Sequence, residues 1–119
     1  MVRWVNSEIK KLFENFTVDG VKIPVAFLRY KGTSETYITY TQTFIDNTFI
    51  TDDDLEAYVV NYDFDVYTKG NYLMIIEEMK KILEANGWDW QPMDDSPDFY
   101  ESDTGYFHKT VCFSKIKEA

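Results

Sequence analysis

The residues best suited to chemistry lie in one short stretch, which holds the only histidine, His108, and the only cysteine, Cys112, with Thr110 between them. In a β-strand, alternation would place all three side chains on one face. A histidine can activate a cysteine thiol only within hydrogen-bonding distance. At about 3.3 Å per residue the two side chains would stand about 13 Å apart. The spacing therefore favours a structural histidine and a buried cysteine over a catalytic pair.

Two acidic clusters are candidates for cation binding. Neither has the glycine at the sixth position and the glutamate at the twelfth that an EF-hand loop requires. Gly-rich phosphate loops, nucleophile elbows and CxxC pairs are also missing from the sequence. We therefore expect no enzyme activity, no catalytic residues, no metal ligands and no cofactor, and we expect the acids to occupy solvated loops that keep sheet edges soluble. The clusters are Asp52-Asp53-Asp54 and the set Asp94, Asp95, Asp98, Glu101 and Asp103.

Composition and charge limit the classes of function. The chain has 119 residues, of which 45% are apolar and 18% aromatic, so we expect one folded domain covering residues 1–119. Asp and Glu outnumber Lys and Arg by 21 to 12, and the resulting charge of −9 disfavours specific binding to nucleic acid or to anionic membranes. No apolar run resembles a secretion signal or a membrane span, and one cysteine cannot form an internal disulfide. These features predict a reduced, intracellular setting.

Two amphipathic helices are expected from the spacing of apolar residues. The first contains Ile9, Leu12, Phe13 and Phe16 at i, i+3, i+4 and i+7, and begins either at a cap on Asn6 or Ser7 or further back, near Val2. The second follows Lys69-Gly70-Asn71 and ends at Asn86-Gly87, with Gly87 as the C′ residue and a Glu77 to Lys81 pair at i,i+4. Its apolar residues, expected to pack on the sheet face of Tyr58, Tyr62 and Phe64, are Tyr72, Ile75, Ile76, Met79, Ile82 and Leu83.

Five strands account for most of the remaining chain. After a turn at Asp19-Gly20, a strand is expected over 23–28, joined by a hairpin to a second strand over 36–44. The clearest strand covers 55–67, where apolar and polar residues alternate. A short strand begins at Trp88, Trp90 and Met93, a long acidic turn covers 94–104, and the last strand covers 106–115. The order α-β-β-β-α-β-β predicts an α+β fold: a mainly antiparallel sheet of four or five strands with both helices packed on one face.

The chain resembles the tail terminator and tail completion proteins of siphophages and related prophages. The resemblance extends over nearly the full length and includes the neighbouring head-tail joining proteins. It rests on an ordered series of motifs: the short first helix, Ile23-Pro24-Val25, Tyr30-Lys31-Gly32, Thr36-Tyr37-Ile38, Tyr62-Asp63-Phe64-Asp65-Val66-Tyr67, Lys69-Gly70-Asn71-Tyr72, Asn86-Gly87-Trp88 and the segment from Tyr100 to Lys109.

This resemblance implies a structural subunit without catalysis. Similar proteins form a ring, often of six subunits, that caps the tail tube, joins tail to head and lets DNA pass. The expected partners are other copies of the chain, the tail tube protein and the head-tail connector proteins. The expected location is the head-proximal end of the virion tail, with assembly in the host cytoplasm.

The expected subunit interface has two parts. The segment 45–54 is longer than a hairpin loop needs and carries apolar residues among acids, which is typical of binding loops. The acidic turn over 94–104 supplies a second surface, as head-to-tail rings require two different patches per subunit. The candidate interface residues are Ile45, Phe49, Ile50, Asp52, Asp53, Asp54, Asp94, Asp95, Asp98 and Glu101.

Two other classes of function fit parts of the sequence. An acidic DNA mimic that inhibits a nucleic-acid-binding protein would suit the charge of −9, although here the acids cluster in loops or alternate with apolar residues. A ligand-binding domain or small enzyme would need a pocket, for which Trp88, Trp90, Tyr100 and Tyr106 are the aromatic candidates.

Overall fold

The chain folds into a mixed sheet with two helices. The computed structural model describes the backbone of residues 2–51 and 54–118, and the side chains of residues 5–43 and 57–117. The helices are α1 (Val2–Leu12) and α2 (Tyr72–Ala85), and a short 3₁₀ helix spans Pro92–Asp94. The strands are β1 (Thr17–Val18), β2 (Val21–Lys22), β3 (Val25–Phe27), β4 (Tyr37–Thr51), β5 (Asp54–Thr68), β6 (Asp89–Trp90), β7 (Phe99–Glu101) and β8 (Tyr106–Glu118).

The strands form two sheets rather than one. A six-stranded sheet has the order β3-β4-β5-β8-β6, with β7 beside β8, and β1 pairs with β2 in a separate hairpin through the expected turn at Asp19-Gly20. The α+β class and the mainly antiparallel pairing are confirmed, but the strand count is higher than expected. Two of the extra strands, β1 and β2, have only two residues each, which is too short for alternation in the sequence to reveal them. The third, β7, lies inside the segment that was expected to be an acidic turn.

The pairing of β3 with β4 corrects the expected hairpin between them, because the two strands are parallel. Residues 28–36 carry the chain back along the sheet, beginning at Leu28, whose φ of 65° turns the backbone. The backbone amide of Ile38 donates to the Pro24 carbonyl at 2.9 Å, and that of Leu28 donates to the Tyr40 carbonyl at 3.0 Å. Pro24 thus stands at the start of an edge strand, where its missing amide hydrogen does no harm.

One buried cluster joins both helices to the same face of the sheet. Alternation puts Tyr58, Tyr62 and Phe64 of β5 on this face, as expected. Of the apolar residues expected for α2, four are buried there, whereas Tyr72 and Ile82 lie partly exposed at its margin. The four are Ile75, Ile76, Met79 and Leu83.

The ends of α2 follow ordinary capping chemistry. The Asn71 side chain accepts from the backbone amides of Leu73 and Met74, and Gly87 after the C-cap has φ of 86°. The expected partner of Lys81 is corrected: its ammonium contacts Glu78 at 3.2 Å, three residues earlier.

The first helix begins at Val2, which is the longer of the two expected alternatives, and ends at Leu12, so Phe13 and Phe16 pack after it. Glu8 of α1 contacts the ammonium groups of Lys115 and Lys117 and fastens the helix to the end of β8. Among the described residues, no helix combines the length and apolar character needed to span a membrane.

Candidate assembly site

The segment 45–54 is a projecting hairpin, not the expected loop. Strands β4 and β5 pair along their whole length, up to Thr51 opposite Asp54. Polar residues within 45–54 had suggested a loop, yet cross-strand pairing, which is nonlocal, holds the segment as strand. Ile45, Phe49 and Ile50 belong to β4; their side chains and that of Asp54 are outside the described set, as are Asp52 and Asp53 altogether.

Bulges interrupt this hairpin. The register shifts at three places: between Gln42 and Phe44 and between Asn47 and Phe49, where β4 carries an extra residue, and between Phe49 and Ile50, where β5 does. Thr43 is the extra residue at the first shift, and its hydroxyl donates to the Asn61 carbonyl at 3.2 Å. Between the first and second shifts, residues 44–47 pair regularly with 58–61 of β5.

The acidic segment over 94–101 lies along the outer edge of β8 and is separate from the hairpin tip. Asp95 accepts from the Cys112 backbone amide and from the Trp90 indole, both at 2.9 Å. Asp98 contacts the Lys109 ammonium at 3.0 Å, and this hydrogen bond lowers the pKa of the Asp98 carboxyl. Glu101 is exposed on β7. Asp95 is therefore anchored to β8 by its side chain and Asp94 by its backbone carbonyl, whereas the side chains of Asp94, Asp98 and Glu101 are exposed.

The sheet face opposite the helices carries the chemical residues singled out in the sequence. His108, Thr110 and Cys112 share this face, as alternation predicts. Each of them stands opposite a residue of β5, and His108 and Cys112 do not contact one another. His108 Nε2 lies 3.3 Å from Asp65 Oδ1, which also accepts from the Thr110 hydroxyl. The paired carboxylates were missed because only the β5–β8 register reveals them.

Cys112 is held as a neutral hydrogen-bond donor. Its thiol donates to Asp63 Oδ1 at 2.8 Å and to the Asp94 carbonyl at 3.1 Å. Burial, followed by the hydrogen bond to the Asp63 carboxylate, raises the pKa of the Cys112 thiol far above its ordinary value. A nucleophilic cysteine needs the opposite shift. This environment therefore suits a structural role.

An aromatic row crosses the same face. Tyr37, Tyr67, His108 and Phe99 stand at matching register positions on four adjacent strands. Tyr30 stacks on Tyr37 with ring centroids 4.8 Å apart, Tyr37 on Tyr67 at 4.8 Å, and Tyr67 on His108 at 4.3 Å. His108 is thus one ring in a stack, which explains its position in structural terms.

The four aromatic residues proposed for a ligand pocket do not converge. Trp88 is buried in the core beside Tyr62. Trp90 is exposed, and the Lys80 ammonium lies 3.2 Å from the centroid of the Trp90 ring. Tyr100 packs on Phe107, whereas Tyr106 lies near Tyr37 on the other face of the sheet, the one opposite the helices. The strand expected from Trp88 to Met93 shrinks to β6, and Met93 lies in the 3₁₀ helix.

Other concave regions are shallow. One mainly apolar hollow, of about 360 Å³, lies between the β1–β2 hairpin and the start of α2 and includes Val21, Ile23 and Met74. On the open sheet face, a hollow of about 230 Å³ is lined by Thr43, Asp63 and Cys112, among others. Among the described side chains, no three His, Cys, Asp or Glu residues converge to hold a metal ion.

Comparison of the sequence with protein-family models and with curated proteins finds no match.

Proposed function

We propose that this chain is a structural subunit of a siphophage or prophage tail, forming a ring that caps the tail tube and joins it to the head. The ordered motifs from the first helix to the segment 100–109 support this role. Its partners would be copies of itself, the tail tube protein and the head-tail connector proteins. Its location would be the head-proximal end of the virion tail, reached by assembly in the host cytoplasm.

The observation that best supports an assembly role is the projecting β4–β5 hairpin. Strand β3 covers β4 only over 38–40, so within the described backbone β4 pairs with β5 alone from Thr41 to Thr51. The pairing of β5 with β8 is described as far as Ala57 and Glu118, and the molecule measures 54 × 27 × 24 Å. A long strand with one unpaired edge offers its backbone groups to another chain, which suits a role in assembly.

The hydrogen bonds of the open sheet face also agree with a role without catalysis. Cys112 is a neutral donor, His108 is part of an aromatic stack, and Asp65 is engaged by two side chains. Each potentially reactive group is used to join neighbouring strands.

The test is binding to tail tubes. Purified protein would be added to tail tubes assembled from the tube protein, and gold-labelled antibody would locate it by electron microscopy. We expect label at one tube end only and an arrest of tube elongation. Label spread along the tubes, or no bound protein, would contradict the role. Titration against DNA-binding proteins of the same phage would reveal the alternative, a DNA mimic, through stoichiometric inhibition.

A further inference from the structure

The outer edge of β8 is protected over much of its length. Strand β7 pairs with residues 106–108 and β6 with 113–114. Between them the connecting loop supplies the partners: Gln91 and Ser96 donate backbone amides to the Cys112 and Thr110 carbonyls at 2.8 and 2.9 Å. The Thr110 and Cys112 amides donate to the Ser96 hydroxyl and an Asp95 carboxylate oxygen. Natural sheets protect exposed edges in this way against unwanted pairing.

Two other edges lack such protection. Within the described backbone, β4 beyond Tyr40 pairs only with β5, and β8 beyond Ser114 also pairs only with β5. Residues 41–51 of β4 contain one charged residue, Asp46, and neither proline nor lysine, the residues that commonly block edge pairing. Threonine, phenylalanine and isoleucine, which favour strands, dominate this stretch.

These two open edges lie at the same level of the sheet and on opposite sides. Asp46, Val59 and Ile116 form one row across β4, β5 and β8. The regular part of β4 between its bulges, 44–47, matches in length the unprotected end of β8, 115–118. The exposed fraction of Ile116 is 54%, so this end of β8 is accessible. The sheet therefore ends in a three-stranded ribbon with two dissimilar free edges.

Charge also distinguishes the two sides. The hairpin residues 45–56 include five acids and no base, namely Asp46, Asp52, Asp53, Asp54 and Glu56. The end of β8 carries Lys115, Lys117 and Glu118, and Glu8 of α1 contacts both ammonium groups. Two copies of the acidic β4 edge repel each other, whereas the end of β8, where two lysines balance Glu8 and Glu118 in formal charge, does not repel that edge.

We infer that the free end of β8 in one copy of this chain pairs with the free edge of β4 in the next copy, so that backbone hydrogen bonds continue the sheet from subunit to subunit. This inference rests on the proposed ring. Strands β4 and β8 run in the same direction, since each is antiparallel to β5. Rotation about an axis along the strands would therefore bring them together as parallel neighbours, with Asp46 beside Ile116. The contact is head-to-tail, which a ring requires.

Disulfide cross-linking tests this pairing. In a Cys112→Ser background, one preparation carries Asp46→Cys and another Ile116→Cys, and the two are mixed and oxidised. Neighbouring parallel strands bring the Cα atoms within the range of a disulfide. We expect a covalent dimer containing one chain of each kind, and no dimer from either preparation alone. The matched control replaces Asp46→Cys by Val59→Cys, in the same row but on the central strand, and should not cross-link.

Each outcome decides the inference. Dimers from Asp46→Cys alone would indicate two-fold pairing of β4 edges and overturn the head-to-tail contact. The absence of mixed dimers would also overturn it, whether or not electron microscopy shows rings. Binding to tail tube ends is measured separately, so its loss would count against the proposed function and not against the strand pairing.

Discussion

The environment of Asp63 on the open sheet face raises the pKa of its carboxyl. It stands on the open sheet face opposite Cys112, whose thiol donates to its carboxylate. Burial raises the pKa of the Asp63 carboxyl, and the nearby charges of Asp65, Asp94 and Asp95 act in the same direction, while the Cys112 hydrogen bond opposes them. The folded protein thus holds a proton on Asp63 more tightly than the unfolded chain does.

A linkage argument gives the direction of the pH dependence. A carboxyl whose pKa is raised by folding favours the folded state when protonated, so its contribution declines as pH rises from the ordinary value of 3.8 through the folded-state pKa. Asp63→Asn removes this titration and keeps an acceptor for the Cys112 thiol. We expect the variant to gain stability relative to wild type between pH 3 and pH 7, by about 1 kcal/mol or less because the site is partly solvated. Urea unfolding at several pH values measures this.

The control for this change is Asp98→Asn. The hydrogen bond from Lys109 lowers the pKa of Asp98, so the sign is reversed and the variant should lose relative stability as pH rises. If both variants changed in the same direction with pH, the assigned cause of the Asp63 shift would be wrong.

At the scale of elements, α2 shows how far the sequence determines the fold. Its apolar spacing and its Gly87 terminus are local signals that the structure confirms, and the Asn71 cap found at its start is also local. Local signals also predicted β5 and the turn at Asp19-Gly20 correctly.

Features that depend on distant partners were not predictable in the same way. The parallel pairing of β3 with β4 depends on the path of residues 28–36, which no short motif specifies. The hairpin segment 45–54 contains Asp and Asn residues typical of loops, and only its register with β5 makes it strand. The carboxylates opposite Thr110 and Cys112 were missed for the same reason, because strand register is a nonlocal property.

The packing of α2 gives a stability prediction. Ile76 has an exposed fraction of 5% and belongs to the core cluster, so Ile76→Ala should lower the free energy of unfolding by about 2 to 5 kcal/mol. On the same helix the exposed fraction of Leu73 is 63%, and Leu73→Ala should lower it by about 0.5 kcal/mol or less. Chemical denaturation measures both changes. Equal effects would mean that the helix buries a different face.

At the scale of the whole molecule, the core and the tip of the β4–β5 hairpin are distinct regions. The buried cluster joins α1, α2 and one sheet face, whereas the tip of the hairpin extends well past β3. Its length contributes to the 54 Å long axis, about twice the other two dimensions of 27 and 24 Å. A change near the hairpin tip should therefore affect assembly more than folding.

Phe49 and Ile50 of β4 provide the test of this separation, because they lie near the tip and are strongly apolar. The double substitution Phe49→Ser and Ile50→Ser should leave the circular dichroism spectrum of the monomer unchanged, since β3 does not reach either position and Ile50 lies past the last described pair of β5 with β8. If the two side chains are buried against a neighbouring subunit or the tail tube, their loss removes roughly 3 to 6 kcal/mol of contact energy, which corresponds to at least about a hundredfold weaker assembly. Sedimentation velocity and phage titre measure the result. The matched control replaces two exposed apolar residues outside the hairpin, Leu73→Ser and Met93→Ser, and should assemble normally. Normal assembly and titre of the hairpin variant would exclude these two residues from the interface and would turn attention to the acidic segment over 94–101.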